Sequence, residues 1–233
     1  MDKIKMKIAI VSENQERVLS LISHHGNFFE VVEKNPDVVV SHGGDGTLMR
    51  AEYLYPNIPK LYLKNSRIAK LGHQTKENDA ILDHIVKGEY VVEEVAKLEA
   101  LVKGRVIVGL NDIVIHNENP RYGIRYVIEI DGVQMLGEII GDGVVFATPL
   151  GSTGYYRSIT HSSFELGIGV AFNNSTEQSD HIVVTDDRVV RVKITRGPAV
   201  CYADNQEESI RLLEGEYIDV KKSKQVGRII RVT

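Results

Sequence analysis

"VVVSHGGDGTLMRA", residues 38–51, decides how this chain is read. Three β-branched valines give way to Gly43-Gly44-Asp45-Gly46-Thr47, and a helical pattern follows. Valine favours extended backbone, and glycine lets the chain turn tightly and approach a ligand closely. A strand that turns through glycines into a helix presents unpaired amides and partial positive charge, which suits a phosphate. The loop is not a Walker loop, because no Gly-Lys-Ser/Thr follows, and the Gly-x-Gly-x-x-Gly dinucleotide spacing also fails. Asp45 is the anomaly, since a carboxylate aimed at a phosphate is repelled by it. Two readings stand at this point. Either Asp45 caps the helix and the glycines only turn the chain, or Asp45 faces a hydroxyl or a metal and acts as a base in phosphoryl transfer.

Around this loop, strand and helix patterns alternate. Lys7 to Val11, Phe28 to Glu33, Asp37 to Ser41 and Lys60 to Leu63 read as strands. Glu13 to Ser23, Thr47 to Tyr55 and Glu77 to Val86 read as helices. Such alternation predicts βαβ units and a parallel sheet, with ligands at the carboxyl ends of the strands. From Lys97 onward the texture is β-rich, with a hairpin signal at Asp131-Gly132. Gly88 to Val95 reads as the connection between the halves. The expected organisation is an α/β domain over residues 1–92 and a β-rich domain over 93–233, whose extreme C-terminus packs back on the first.

Composition bounds the rest. The chain has 233 residues, enough for two small cores, and a formal net charge of −4 that argues against a nucleic-acid partner. The single cysteine, Cys201, rules out an intrachain disulfide and suits a reducing, cytoplasmic setting. No apolar run reaches the roughly 18 residues of a membrane span. The eight histidines show no zinc-binding spacing.

A second glycine-and-hydroxyl stretch, "GDGVVFATPLGSTGYYRS", runs from Gly141 to Ser158. Ser152 and Thr153 carry hydroxyls for a ligand, Gly154 permits close approach, and Tyr155 offers a flat face to a base. A plain loop and helix cap has the same letters. Together with "LNDIVIHN" around Asn111-Asp112, however, the set resembles the NAD kinase family, ATP- or polyphosphate-dependent phosphotransferases acting on NAD. That family carries GGDGT, an Asn-Glu or Asn-Asp pair, and GDG…TPxGSTAY in this order. Here these stand at Gly43 to Thr47, Asn111-Asp112, Gly141 to Gly143 and Thr148 to Tyr155. "ADNQ" at Ala203 to Gln206 is a weaker fourth match.

The resemblance implies a two-domain NAD kinase-like fold and a set of roles. Asp45 would be the general base for the 2'-hydroxyl of the adenosine ribose. Gly44, Gly46, Thr47 and Arg50 would meet the dinucleotide and the triphosphate. Asn111 and Asp112 would hold adenine or ribose, and Asp142 the nicotinamide half. Thr153, Gly154, Tyr155, Tyr156, Arg157, Ser158 and Gln206 would line the dinucleotide site, and His73 would stack on a ring. It also implies a divalent cation, magnesium carried with the nucleotide, and assembly as a homodimer or homotetramer.

Departures from the pattern are Gly154 for alanine in GSTAY, Ile140 for a basic residue, and "SITHSS" after Tyr156-Arg157. They leave donor choice and NAD-versus-NADH preference open. A non-catalytic dinucleotide-binding relative is one rival. Diacylglycerol and sphingosine kinases share GGDGT but lack the GSTxY segment, and phosphofructokinases share only Gly-Gly-Asp-Gly.

Overall fold

In a computed structural model the structure describes residues 5–65 and 77–232. The chain divides into two compact units. One contains the residues up to Val95 and those from Val226 on, and the other spans Ala96–Gln225.

The first unit is an α/β layer structure. Its strands are β1 (Met6–Ser12), β2 (Phe29–Val31), β3 (Val38–Gly43) and β4 (Lys60–Lys64), joined by the end of a long C-terminal strand. The order is β2-β1-β3-β4 and then that last strand, where Ile229 pairs with Lys60, and every pairing is parallel. Alternation within the valine run sends its side chains to both faces. Val38 and Val40 pack with Ile8, Leu61 and Leu63 against helices α1 (Gln15–Ser23) and α3 (Asn78–Lys87). Val39 packs with Ala9, Val11 and Ala51 beneath α2 (Asp45–Leu54). Strands buried on both faces are near-continuous in apolar character, as this run is. Helix α1 buries Val18 and Ile22, four residues apart, and Asn14 caps it by accepting the Arg17 amide at 3.0 Å.

Two expectations are corrected here. Helix α2 begins at Asp45 rather than Thr47, because its first turn is the glycine-rich segment that low helix propensity concealed. Residues 90–102 form one strand, β5 (Tyr90–Val102), where a connection was expected through Val95. On it, Glu93 and Glu94 pair with Arg231 and Arg228.

The second unit is two β-sheets face to face. After β6 (Arg105–Gly109) come β7 (Asp112–Asn117), β8 (Ile124–Ile130), β9 (Val133–Gln134), β10 (Ile139–Gly141) and β11 (Gly143–Ala147). A short helix, α4 (Tyr155–Thr160), precedes β12 (Ile168–Asn173) and β13 (His181–Val184). The remaining strands are β14 (Val190–Arg196), β15 (Ala199–Ala203), β16 (Ile210–Leu212) and β17 (Tyr217–Val232). One sheet is antiparallel in the order β13-β12-β11-β7-β15-β16. The other carries β10-β8-β14-β17, with β5 beside β17 and β6 beside β5. Ile113, Ile115, Val144 and Phe146 from the first meet Tyr126, Ile128, Val192 and Ile218 from the second in a common core. Cys201 is buried in that core, on β15 as a strand residue. Among the described residues no helix is long and apolar enough to cross a membrane.

Candidate active site

The loop after β3 lies at the carboxyl end of a parallel strand, where such sheets bind ligands. Gly44 is the N-cap of α2, with extended backbone, and makes no side-chain cap bond. Asp45, Gly46 and Thr47 form the first turn, all half-buried. Asp45 therefore does not cap the helix. Its carboxylate stands beside the positive end of a ten-residue helix. The hydroxyl of Tyr62, on β4, lies 3.2 Å from Asp45 Oδ1 and 3.3 Å from the Gly43 carbonyl. Sequence reasoning missed Tyr62, because the contact exists only once β4 lies beside β3, with Tyr62 opposite Ser41. Arg50 is exposed, farther along α2. His73 lies outside the described residues. Farther along α2, Lys60 makes a buried ion pair with Glu52 and also donates to the Tyr55 carbonyl at 2.6 Å.

In the second unit the expected residues gather on the outer face of the six-stranded sheet. Asp112, Val114 and His116 alternate away from the core residues Ile113 and Ile115. Asn111 and Asp112 are 5% and 8% exposed. Their backbone is held by Asp204, whose carboxylate accepts the amides of Leu110 (2.7 Å), Asn111 (2.7 Å) and Asp112 (3.1 Å). The Asp204 amide in turn donates to the Asp112 carbonyl at 2.9 Å. Burial raises the Asp204 carboxyl, while the three amides and Lys97 oppose the rise. Asp112 is pushed up to about 7, first by burial and then by the neighbouring Asp204 charge. The "ADNQ" match pointed to this segment but singled out Gln206. Gln206 instead braces the turn, donating from its side chain to Val108 (3.0 Å) and from its amide to Ala203 (3.1 Å).

The Thr148–Thr153 turn is stitched to the same backbone. The Thr148 amide donates to the Asn111 carbonyl (2.9 Å), and its hydroxyl donates to the Leu110 carbonyl (2.9 Å) and accepts the Gly151 amide (3.0 Å). A Cβ at Gly151 would lie 2.0 Å from the Asn111 carbonyl oxygen, so only glycine permits this approach. Ser152 is buried, with its hydroxyl at 2.7 Å from the Pro149 carbonyl, so it is an architectural residue and not the ligand donor expected. Thr153 is half-buried and Gly154 exposed.

Tyr155 and Tyr156 point to different places. Tyr155 is half-buried, and its hydroxyl accepts from Asn173 Nδ2 at 3.0 Å. Burial raises its phenol, and Asp142 and Asp112 add to the rise. The expectation that Tyr156 lines the site is corrected. It is 1% exposed and packs edge-on against Phe164, at 5.1 Å between centroids, over Gly169, where any Cβ would strike both rings. Consecutive helical residues project about 100° apart, so one tyrosine faces out and its neighbour in. Arg157 and Ser158 are exposed, and the Ser158 hydroxyl donates to the Tyr155 carbonyl at 2.7 Å. Asp142 is clasped by Asn117 at 3.1 Å and Asn174 at 2.9 Å. Asn117 and Asn173 are two further site residues that sequence reasoning did not name.

The chain is thus of a two-unit α/β and β-sandwich class, with an acid in the first turn of α2 in one unit and a backbone-braced Asn-Asp ledge in the other. Comparisons narrow the class. A model of the ATP-NAD kinase C-terminal domain matches residues 110–232. An NAD kinase of Saccharolobus islandicus is 35% identical over 67% of this chain, and the match covers 64% of that relative's length. An NAD kinase of Sulfurisphaera tokodaii is 30% identical, over 97% of this chain and 95% of its own. Among solved structures, an Archaeoglobus fulgidus NAD kinase in complex with ATP superposes with a TM-score of 0.79. It is 23% identical over 97% of this chain and 94% of that one. A yeast NADH kinase complexed with NADH gives 0.84 at 19% identity, covering all of this chain and 85% of the yeast one. These likenesses of shape show a shared fold. The chain belongs to the NAD kinase family.

Proposed function

We propose that this chain transfers a phosphoryl group from ATP, or from polyphosphate, to the 2'-hydroxyl of the adenosine ribose of NAD, giving NADP. The observation that carries this reading is the Asp45 carboxylate in the first turn of α2, at the end of a parallel strand, in a member of this family. The ribose oxygen attacks the terminal phosphorus as its proton passes to Asp45, and the bond from phosphorus to the leaving ADP breaks. Amides at the start of α2, at Gly44, Gly46 and Thr47, meet the transferred group, with Arg50 as an outer phosphate contact. Asn111 and Asp112 hold the adenine or ribose, and Asp112 with a carboxyl near 7 has the means to donate as well as accept hydrogen bonds there. Asp142, Thr153, Gly154, Tyr155, Arg157, Ser158 and Gln206 form or brace the nicotinamide side.

Among the described residues no three His, Cys, Asp or Glu side chains converge as a metal cage. The magnesium ion that the family implies would travel with the triphosphate and neutralise phosphate charge there. We further infer a homodimer or homotetramer working in the cytoplasm, which sedimentation analysis and cell fractionation would check.

The test is an assay of purified protein with NAD, magnesium and either ATP or polyphosphate. Wild type is expected to make NADP, and Asp45→Asn to lower the rate by about 10²–10⁴ while dinucleotide binding persists. No NADP with either donor overturns the reading, and equal rates in variant and wild type remove Asp45 from the mechanism.

A further inference from the structure

Tyr62 is 1% exposed, yet its hydroxyl reaches the half-buried Asp45. The ring stands on the α2 face of the sheet, beneath the loop, with its position set by parallel pairing of β3 and β4 from Val39–Lys60 to Gly43–Lys64. Its single proton has two acceptors, Asp45 Oδ1 at 3.2 Å and the Gly43 carbonyl at 3.3 Å. The Gly43 carbonyl already accepts the Asn65 amide at 3.1 Å. An ionised carboxylate is the stronger acceptor of the two, so the proton turns to Asp45 while Asp45 is charged. Burial, followed by the Asp45 charge and this hydrogen bond, drives the Tyr62 phenol above its ordinary value and keeps it a donor.

We propose that Tyr62 is a positioning residue for the phosphoryl transfer, holding the Asp45 carboxylate toward the acceptor hydroxyl and yielding when Asp45 takes the proton. Once Asp45 is protonated it is the weaker acceptor, and the Tyr62 O–H turns to the Gly43 carbonyl. One bond is exchanged for another, with no proton leaving the site. The carboxylate is thus fixed in one rotamer before the reaction without being locked in its ionised state. Pre-set geometry of this kind acts on the reaction step rather than on substrate binding.

This inference rests on Asp45 being the base, so the experiment separates the two. Tyr62→Phe keeps the ring and removes only the hydroxyl. Rates are taken with NAD, ATP and magnesium, per dinucleotide site titrated, so that unfolded protein does not count. In the wild-type background kcat is expected to fall about tenfold, with KM for NAD and for ATP changed less than about twofold. In the Asp45→Asn background the same substitution is expected to change the residual rate less than about twofold, because its effect runs through Asp45. An unchanged kcat in the wild-type background overturns the proposal, as does an equal loss in both backgrounds or a loss confined to KM. Absence of NADP formation by the wild type would instead strike the kinase reading itself.

Discussion

The two glycine-and-hydroxyl turns, Gly43–Thr47 and Thr148–Gly154, have similar letters and opposite physical states. In the first, every residue is half-buried, and a Cβ at Gly44 would meet nothing within 4 Å among the described residues. In the second, Thr148, Gly151 and Ser152 are buried and their polar atoms are spent on Leu110, Asn111 and Pro149. The acids follow the same division. Asp204 is consumed by three backbone amides and shapes the Asn-Asp ledge, whereas Asp45 accepts from a tyrosine hydroxyl in a half-buried turn. A carboxylate whose oxygens are already taken by three amides is spent on the fold rather than aimed at a substrate. Glycines and acids therefore announce a ligand only where the structure leaves them room to use.

The sharpest way to break this contrast is Gly151→Ala. The new methyl would lie 2.0 Å from the Asn111 oxygen and 2.5 Å from its carbonyl carbon, both backbone atoms that cannot rotate aside. Overpacking of this sort costs about 3 kcal/mol or more, read as a lower urea midpoint, with dinucleotide binding lost alongside it. A midpoint equal to that of wild type would show that the turn yields and is not an architectural one.

Much of this layout is written locally. The valine run, the alternating halves and the GGDGT turn follow from side-chain type and spacing, and β1, β3, β4 and all three long helices lie close to where periodicity puts them. What was not legible depends on distant segments meeting. Tyr62 reads as one apolar position in "KLYLK" until β4 pairs with β3. Asp204 stands 92 to 94 residues from the amides it binds. Tyr155 and Tyr156 are equivalent letters until the register of α4 sends one to the core. Residues 90–95 read as part of a connection until Tyr90–Val102 pairs as one strand.

The acids also separate by pH. An acid whose folded value lies above its unfolded one makes the folded chain hold more protons between the two values, so stability falls as pH rises through that window. For Asp112 the window runs from about 4 to about 7. The penalty is complete above it and amounts to roughly 4 kcal/mol at most. Asp112→Asn keeps the shape without titrating, so urea midpoints measured from pH 4 to pH 8 should fall less steeply than in wild type. The raised Asp204 leaves a residual slope. Parallel slopes in the two proteins would mean that Asp112 does not carry the shift, and that the ledge is more open to water than its 8% exposure indicates.

The smallest expected change in stability comes from the counterpart of the first test, Gly44→Ala. Gly44 has φ −94° and ψ −175°, which alanine adopts without strain, and among the described residues nothing lies within 4 Å of its methyl. Alanine is a poorer N-cap than glycine, so the loss should stay below about 1 kcal/mol. Turnover is another matter if the loop lies against the transferred phosphate. The methyl would then occupy the space through which the amides of α2 reach the phosphate oxygens, and kcat/KM for ATP should fall at least about tenfold, since a displacement near 1 Å costs that much or more. A chain that melts like wild type and turns over poorly would show that this glycine serves a ligand, while Gly151 serves the fold. If Gly44→Ala matched wild type in both, the phosphate would have to meet the α2 amides from another side, and the room around Gly44 would serve no contact.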